Sequence, residues 1–343
     1  MRHHPLIELT RCKVLELVRE PEALFWVFFF PILLAAALGI AFRSSAPPPL
    51  PIAILDSTGA GELASSLAAA PELAVERLDA ERARAELRAG RVALVVIPGD
   101  PWTYWYDPTR PESRLARLET DRALQSAAGR RDAHPTAVRE VTERGSRYID
   151  FLVPGLLGMN LMGTGMWGIG FYIVNARSRH LLKRLTAAPM RRSHYLLSQI
   201  GGRLAFLVPE VAALLAFAAL VFDVPLRGSW LAFGVVTLLG AMTFSGLGLL
   251  IASRARTIEG VSGLMNVVML PMWILSGTFF STARFPDWLQ PAIQALPLTA
   301  LNDGLRSVMI DGAGLAGIAG ELAIGAAWCI GAFVTALTMF RWR

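Results

Sequence analysis

The chain contains 343 residues, of which 54% are apolar and only 17% are charged, and its mean hydropathy is +0.46. Soluble domains carry about 25% charged residues, so this composition argues against a water-soluble enzyme. The net charge of +6 lies beside the apolar segments, because residues 43–149 hold 15 arginines against 15 acidic residues, and this argues against a nucleic-acid-binding protein.

The apolar runs predict an α-helical integral membrane protein with six transmembrane helices and a small α/β extracytoplasmic domain inserted between helices 1 and 2. The predicted segments, in chain order, are an interfacial elbow helix at 1–22, transmembrane helix 1 at 23–42, the α/β domain with its linker at 43–149, transmembrane helix 2 at 150–175, a cytoplasmic loop at 176–199, transmembrane helices 3, 4 and 5 at 200–222, 230–252 and 258–280, an outer-leaflet re-entrant hairpin at 281–315, and transmembrane helix 6 at 316–340.

The elbow segment has the pattern of a helix that lies in the membrane interface. Its apolar residues fall toward one side of a helix: Ile7, Val14, Leu17 and Val18. Pro21 predicts a break before the first span, and a plain cytoplasmic extension of that span is the alternative. The 20 apolar residues at 23–42 exceed the core of a signal peptide and no Ala-x-Ala site follows them, so an uncleaved anchor is expected.

The block at 43–149 alternates β-rich runs with polar helical stretches, which is typical of a small α/β unit. The predicted strands are 52–55, 74–78, 92–97 and 103–106, and the predicted helices are 61–70, 80–89 and 111–128. The last strand and the residue before it carry four aromatic residues, Trp102, Tyr104, Trp105 and Tyr106. These side chains fit ordinary strand packing and contact with the outer lipid headgroups, and an aromatic ligand platform is the alternative.

Two polar residues inside the predicted spans are candidates for a substrate pathway, Glu210 and Asn160. A charge in hydrocarbon costs roughly 2.5–3.5 kcal/mol on insertion scales, so Glu210 is expected to face protein or a water-filled path. Arg203 lies two helical turns earlier, and we expect it to reach Glu210 only through an intermediate group or from another helix. A structural interhelical hydrogen bond is the alternative for Glu210, and close packing is the alternative for the glycines around Asn160.

Two further segments are expected to contact a surface. Residues 177–199 combine six basic residues with seven large apolar ones, which favours packing against a partner protein or the membrane. Residues 281–315 are too polar and proline-rich to cross the bilayer and too apolar for a free loop. A hairpin that dips into the outer leaflet, with its backbone shielded by protein, satisfies both observations.

The distribution of basic residues predicts the orientation of the chain. If the amino terminus is cytoplasmic, the inner segments hold 14 Lys and Arg residues, whereas the short outer loops hold only Arg227, Arg284 and Arg306. Short cytoplasmic loops carry the basic excess. Both termini are therefore expected in the cytoplasm and the α/β domain outside.

The sequence contains no recognisable catalytic or metal-binding constellation. Neither of its two lysines, Lys13 and Lys183, ends a GxxxxGK[ST] loop, and no HExxH or GxSxG motif occurs. The adjacent residues His3 and His4 make no tetrahedral metal site. Two cysteines are too few for a disulfide framework. We therefore expect no ATPase site, no metal and no cofactor in this chain.

Three stretches of the sequence resemble a known family, the permease subunits of ATP-binding-cassette type 2 exporters. These stretches are the predicted elbow and first span at 19–42, the inner loop at 181–199, and LSGTFFSTARFPDWLQPAIQALPLTALNDGLR at 275–306. The large insertion after the first span is similar to the family variant that has an ectodomain. The resemblance implies a permease that exports a hydrophobic or amphiphilic substrate, such as a drug, a lipid or a lipid-linked molecule.

The resemblance also implies partners and residue roles. Two copies of a cytoplasmic ATPase, which hold the ATP and Mg, would drive a dimer of permease subunits, a homodimer in the simplest case, in the inner membrane of a bacterium. The ATPase-coupling residues implied in the inner loop are Arg184, Leu185, Pro189, Met190, Arg191 and Arg192. The outer-hairpin residues implied are Pro286, Trp288, Pro297, Asp303 and Arg306. A secondary transporter or channel, or a membrane sensor or assembly factor, is the alternative.

Overall fold

The computed structural model describes residues 5–42, 48–130, 147–181, 192–255 and 257–339. The chain divides into two compact units. The first consists of Met1–Arg43 and Thr142–Arg343, and the second of Ser44–Val141. The first unit is helical in its described parts, and the second contains a four-stranded sheet.

The first unit begins with two separate helices, α1 at Pro5–Arg19 and α2 at Pro21–Ala41. Glu20 lies between them in an extended conformation, with φ −99° and ψ 96°, because the ring of the following proline disfavours a helical residue before it. The elbow is therefore a helix of its own, as Pro21 predicted. Within α2, residues Phe25–Phe29 form a π-helical segment.

The second unit is an α/β fold whose elements lie close to the predicted positions. Its strands are β1 at Leu50–Leu55, β2 at Leu73–Leu78, β3 at Leu94–Ile97 and β4 at Thr103–Tyr106. Its helices are α3 at Ala60–Ala68, α4 at Ala80–Ala89 and α5 at Pro111–Ala127. The strand order is β2-β1-β3-β4, in which β1 runs parallel to β2 and β3, and β4 runs antiparallel to β3.

Side chains that alternate along β1 build a core on each face of this sheet. Ile52 and Ile54 point to one face, where α3 and α5 cover them. Ala53 points to the opposite face, where it packs with Ala83 of α4. At the start of α4, the Asp79 carboxylate accepts a hydrogen bond from a backbone N–H of the first turn, so this helix is capped as well as packed.

The rest of the first unit contains the long helices and a connecting hairpin. The helices are α6 at Tyr148–Met166, which continues through a π-helical segment at Trp167–Phe171 into α7 at Tyr172–Ser178, then α8 at Arg192–Phe222, α9 at Trp230–Arg254 and α10 at Ile258–Leu275. The hairpin contains 3-10 turns at Thr282–Arg284 and Asp287–Leu289, helix α11 at Gln290–Gln294 and helix α12 at Pro297–Met309, and the final helix is α13 at Ala319–Met339.

Five described helices, α2, α8, α9, α10 and α13, are long and apolar enough to span a membrane. The predicted second span, 150–175, is helical throughout, but its glycines and Asn160 lower its hydropathy and it is not one of the five. The count of six spans stays a prediction. Two helix limits differ from the predicted spans, since α8 already begins at Arg192 and α10 already ends at Leu275.

Glycines let α6 and α9 cross at short range, which is typical of helix contacts in membrane proteins. A Cβ placed on Gly165 would lie 2.8 Å from the Cβ of Phe244. A Cβ placed on Gly248 would lie 2.8 Å from the carbonyl oxygen of Met166. Both helices are largely buried, and they form the centre of the apolar core of the first unit.

Candidate functional site

A buried polar cluster joins α2, α6 and α8, and it contains both predicted pathway residues. Arg203 Nη1 donates to Glu210 Oε2 at 2.6 Å, and Thr164 Oγ1 lies 3.0 Å from Glu210 Oε1. On the same face of α6, Asn160 Nδ2 donates to the carbonyl oxygen of Val27 at 3.2 Å. Val27 lies in the π-helical segment of α2, where the backbone hydrogen-bond ladder changes its spacing.

The direct contact between Arg203 and Glu210 corrects the prediction that an intermediate group or another helix must connect them. Seven helical residues rise about 10.5 Å. Glu210 leans toward the amino end of the helix, as helical side chains do, and the long arginine side chain extends toward it. The two side chains together span this distance. The prediction had considered only the backbone rise between the two residues.

The cluster is closed to solvent. Glu210 is 2% exposed, Asn160 is 7% exposed and Arg203 is 8% exposed. A buried ion pair loses much of its hydration energy and depends on the partner charge and on neighbouring hydrogen bonds to regain it. Within the described part of the chain, Arg203 Nε and Nη2 have no hydrogen-bond partner, so Glu210 is the main compensation for this charge.

A second polar contact attaches the elbow helix α1 to the helices behind it. The Lys13 ammonium lies 2.8 Å from the centroid of the Tyr172 ring and 3.6 Å from Glu16. Gly201 and Gly202 of α8 leave the room that Thr10 and Lys13 occupy. Burial lowers the pKa of Lys13 to about 8, although Glu16 acts in the opposite direction.

The other side of α1 is exposed and apolar. Ile7 is 60% exposed and Val18 is 51% exposed. A shallow groove of about 470 Å³ runs along this side and is lined by Leu6, Ile7, Thr10, Arg11, Val14 and Leu15. An exposed apolar side opposite a packed polar side is what an interfacial helix requires.

The hairpin after α10 packs closely against two glycines of α6. Asn302 Nδ2 donates to the carbonyl oxygen of Ser276 at 2.9 Å and to Thr278 Oγ1 at 3.2 Å. A Cβ on Gly158 would overlap the Oδ1 atom of Asn302, and a Cβ on Gly155 would overlap the Thr278 carbonyl oxygen. Only glycine at these two positions lets the hairpin approach so closely.

Arg306 forms a second connection between the hairpin and α6. Its guanidinium lies 3.8 Å from the centroid of the Phe151 ring and donates to the carbonyl oxygen of Gly277. Its Nη1 lies 3.4 Å from Asp303 Oδ1. The structure thus brings together two of the five hairpin candidates.

The other three hairpin candidates have different positions. Pro297 is buried at the first turn of α12, where its missing N–H needs no partner. Pro286 precedes the second 3-10 turn, and Trp288 within that turn is 79% exposed. An exposed Trp of this kind suits the headgroup region of a membrane.

Residues 21–340 match the ABC-2 family transporter protein family. The chain belongs to this family. It is 28% identical over 170 residues to ABC transporter G family member 20 of Dictyostelium discoideum. This match covers 50% of this chain and 23% of that relative. It is 26% identical over 163 residues to the inner membrane transport permease YadH of Escherichia coli K12. This match covers 47% of this chain and 63% of that relative.

A third relative is a probable multidrug ABC transporter permease, YbhR of Escherichia coli K12, which is 23% identical over 165 residues. The match covers 48% of this chain and 45% of that relative. The chain thus spans less than two thirds of the length of each of these three relatives. The family match, together with the apolar helices, makes this protein a membrane permease of the ABC transporter class.

In this ABC-2 permease, the implied coupling residues Arg184, Leu185, Pro189, Met190 and Arg191 lie outside the described residues, and Arg192 is the first residue of α8. The described start of the same loop is held by Arg177, whose Nη1 donates to the carbonyl oxygens of Ala252 at 2.8 Å and Ala255 at 2.6 Å. A cation at the carboxyl end of α9 is favourable, so Arg177 ties the loop to that helix.

The aromatic residues of β4 in the permease are engaged in packing. Tyr104 donates to Asp121 at 3.3 Å, and burial raises the pKa of Tyr104 to about 12. The guanidinium of Arg84 lies 4.9 Å from the ring centroid of Trp105, and that of Arg117 lies 5.4 Å from the centroid of Tyr106. Trp102, which precedes β4, is 40% exposed and is not part of this packing. These contacts favour ordinary strand packing over a ligand platform.

Three residues of the permease that hold helices together, Thr164, Asn302 and Arg177, were not predicted as site residues. Asn302 could have been found, because it precedes Arg306 by four residues and therefore shares its helix face. Thr164 carries the same signal, since it follows Asn160 by four residues. Arg177 looked like any basic residue of a cytoplasmic loop.

Proposed function

We propose that this chain is the membrane subunit of an ATP-driven exporter, which moves a hydrophobic or amphiphilic molecule out across a bacterial inner membrane. The observation that carries the proposal is the family match over residues 21–340, which runs from the first apolar helix to the last. The relative named a probable multidrug permease supports a drug as the cargo, and a lipid or a lipid-linked molecule is proposed as the alternative cargo.

The energy comes from a separate protein. Two copies of a cytoplasmic ATPase hold ATP and Mg, and they act on a homodimer of this chain. ATP binding drives transport only if it favours one of two permease conformations over the other. The ATPase therefore needs a mechanical contact with the permease rather than a contact with the cargo.

The charge distribution supports an orientation in which both termini and the loop at 176–199 face the cytoplasm. The α/β unit then lies outside the cell membrane. The elbow helix α1 lies in the inner interface with its exposed apolar side toward lipid.

The coupling contact is the inner loop, with Arg184, Leu185, Pro189 and Met190 as docking residues and Arg191 and Arg192 as supporting charges. A movement of the loop reaches the membrane helices by two routes that the described residues support. Arg177 connects the start of the loop to α9. Helix α7 leads into the loop, and the contact of Tyr172 with Lys13 connects α7 to α1.

Glu210 and Asn160 hold helices together through polar contacts and do not bind the cargo. This role is supported by their burial and by the partners that Arg203, Thr164 and Val27 provide. A residue that binds cargo directly needs an open path to it, whereas these two are enclosed.

The experiment is co-purification of the cognate ATPase with permease variants that reverse charge in the inner loop. The triple variant Arg184→Glu, Arg191→Glu, Arg192→Glu is expected to lose ATPase binding and stimulated ATP hydrolysis. The matched control reverses three exposed arginines of the α/β unit, Arg88, Arg122 and Arg130, and is expected to keep both. Undiminished binding and hydrolysis in the loop variant would contradict the proposal.

A further inference from the structure

Pro31 interrupts the backbone hydrogen bonds of α2 inside its apolar part. In an α-helix the N–H of residue 31 donates to the carbonyl oxygen of residue 27, but proline has no N–H and its ring clashes with that carbonyl group. The backbone at Phe25–Phe29 is π-helical, and the N–H of Phe30 donates to the carbonyl oxygen of Phe25, five residues earlier. Helices bend at prolines and at π-helical turns, and α2 carries both at one place.

The carbonyl group that loses its α-helical donor to Pro31 is the one that Asn160 contacts. Asn160 Nδ2, on α6, donates to the carbonyl oxygen of Val27 at 3.2 Å. Pro31 is buried and Asn160 is 7% exposed, so this contact lies away from water. In membrane proteins a neighbouring helix can supply the hydrogen bond that a proline removes. Asn160 therefore takes the place of the missing backbone donor.

Asn160 also connects this part of α2 to the ion pair on α8. Thr164 Oγ1 lies 2.8 Å from the carbonyl oxygen of Asn160 and 3.0 Å from Glu210 Oε1. The polar cluster thus extends from the π-helical segment of α2, across α6, to α8. A change at the Val27 carbonyl group is therefore felt by two other membrane helices.

We propose that Pro31 is a hinge of α2 and that Asn160 is the positioning residue that holds this hinge, through a hydrogen bond that breaks and re-forms as the permease changes conformation. A single side-chain hydrogen bond between membrane helices is weak enough to be broken reversibly. Movement of the elbow helix α1, which precedes the hinge, then turns the first part of α2 without the part at Phe30–Ala41. The inference rests on the ATPase-driven conformational change of the proposed function and names the point at which α2 bends.

A double-mutant cycle tests the hydrogen bond. Asn160→Leu leaves the Val27 carbonyl oxygen without this donor, so the equilibrium constant for unfolding is expected to rise about three- to twenty-fold. In a Pro31→Ala background the new N–H of residue 31 can donate to the same oxygen. There, Asn160→Leu is expected to change the constant by less than about twofold. The measurement is denaturant unfolding in mixed detergent micelles.

The matched control for this cycle uses another proline inside a membrane helix. Pro271 lies within α10, where the carbonyl group without an α-helical donor belongs to Val267. In a Pro271→Ala background, Asn160→Leu is expected to keep its full effect on the unfolding constant. Equal effects of Asn160→Leu in the wild-type and Pro31→Ala backgrounds would overturn the role of Asn160.

A second measurement distinguishes a hinge from a merely structural contact. Transport of a fluorescent amphiphile and ATP hydrolysis are followed in liposomes that contain the permease and its cognate ATPase. Pro31→Ala replaces proline by a strong helix former, so the variant is expected to fold at least as stably as the wild type. Because α2 then has no hinge, the number of molecules moved per ATP hydrolysed is expected to fall several-fold. Asn160→Gln keeps the amide donor and is expected to retain most of the wild-type transport.

The outcomes separate this inference from the proposed function. Unchanged transport per ATP in Pro31→Ala overturns the hinge and leaves the ATP-driven exporter in place. A wild-type permease that moves no probe with its ATPase contradicts the proposed function and the hinge movement together. The double-mutant cycle needs no ATPase, so it decides the role of the Asn160 hydrogen bond in either case.

Discussion

The carboxylate of Glu210 and the guanidinium of Arg203 are held in a place that water does not reach. Removing one member of a buried pair costs more than the pair contributes, because the remaining charge is left without compensation. Arg203 has no other hydrogen-bond acceptor among the described residues. The stability of the helix core therefore depends on keeping both members of this pair.

We expect Glu210→Gln to lower the free energy of unfolding by about 3–5 kcal/mol, since the Arg203 charge loses its counter-charge. The measurement is denaturant unfolding in mixed detergent micelles. The double variant Glu210→Leu, Arg203→Leu removes both charges and should recover most of the loss. Wild-type stability in Glu210→Gln would mean that a neutral side chain suffices here, which contradicts the ion-pair account.

Gly158 provides a second test, which concerns the contact between α6 and the hairpin. A Cβ at this position would overlap Asn302 Oδ1, so Gly158→Ala must displace the hairpin and is expected to cost about 1–3 kcal/mol. Thermal unfolding followed by circular dichroism measures the effect. The control is Gly163→Ala in the same helix, where no atom lies within 4 Å of the added Cβ, so it should be neutral or slightly stabilising. Equal effects of the two substitutions would contradict the close packing of the hairpin against Gly158 of α6.

The sequence identified Glu210 and Asn160 as polar residues inside apolar spans but did not predict the geometry of their contacts. Glu210 was recognisable because a carboxylate interrupts an apolar run. The prediction that Arg203 reaches Glu210 only through an intermediate group or from another helix was wrong, because the distance between two side chains depends on rotamers as well as on helix rise. The role of Asn302 depends on a hairpin that returns to a glycine more than 140 residues earlier, and no local pattern encodes that return.

Helix α1 packs against the helices behind it through Lys13, whose charge is costly to bury. The pKa of Lys13 is about 8 in the folded chain, against an ordinary value of 10.5. Between these two pH values the unfolded chain holds more protons at this position than the folded chain does. Folding stability contributed by this group therefore rises as the pH rises through that window.

We expect Lys13→Met to be more stable than the wild type at pH 7, by about 3 kcal/mol at most, and the difference to shrink as the pH approaches 10. Unfolding midpoints of both proteins at pH 7, 8, 9 and 10 measure the change. Arg11→Met on the exposed side of the same helix is the control and should show no such trend. A stability difference that is independent of pH would contradict the burial of a titrating ammonium.

Local pattern was sufficient to predict the elements of the α/β unit. Apolar residues alternate along short runs there, and turn residues separate them, so four strands and three helices were placed within a few residues. The predicted second span at 150–175 was harder to assess. The glycines that let its neighbours approach also lower its hydropathy, so packing and hydropathy give opposite signals for the same residues.

In the proposed orientation the basic loop at 176–199 faces the cytoplasm, where the ATPase binds. Trypsin cleaves after lysine and arginine, and Lys183 lies beside Arg184 in that loop. We expect cleavage after Lys183 or Arg184 in inside-out membrane vesicles and protection in right-side-out vesicles. Arg130, exposed in the α/β unit, is the internal control and should show the opposite pattern. Cleavage of the loop in right-side-out vesicles would reverse the proposed orientation.

Transport in reconstituted vesicles tests the central claim, that this permease depends on a separate ATPase for its energy. The purified permease is placed in liposomes with and without the cognate ATPase, and the movement of a fluorescent amphiphile between leaflets is followed. We predict movement only when the ATPase, ATP and Mg are all present, and none when the ATPase carries a substituted nucleotide-binding lysine. Movement of the probe by the permease alone at the same rate would contradict the claim.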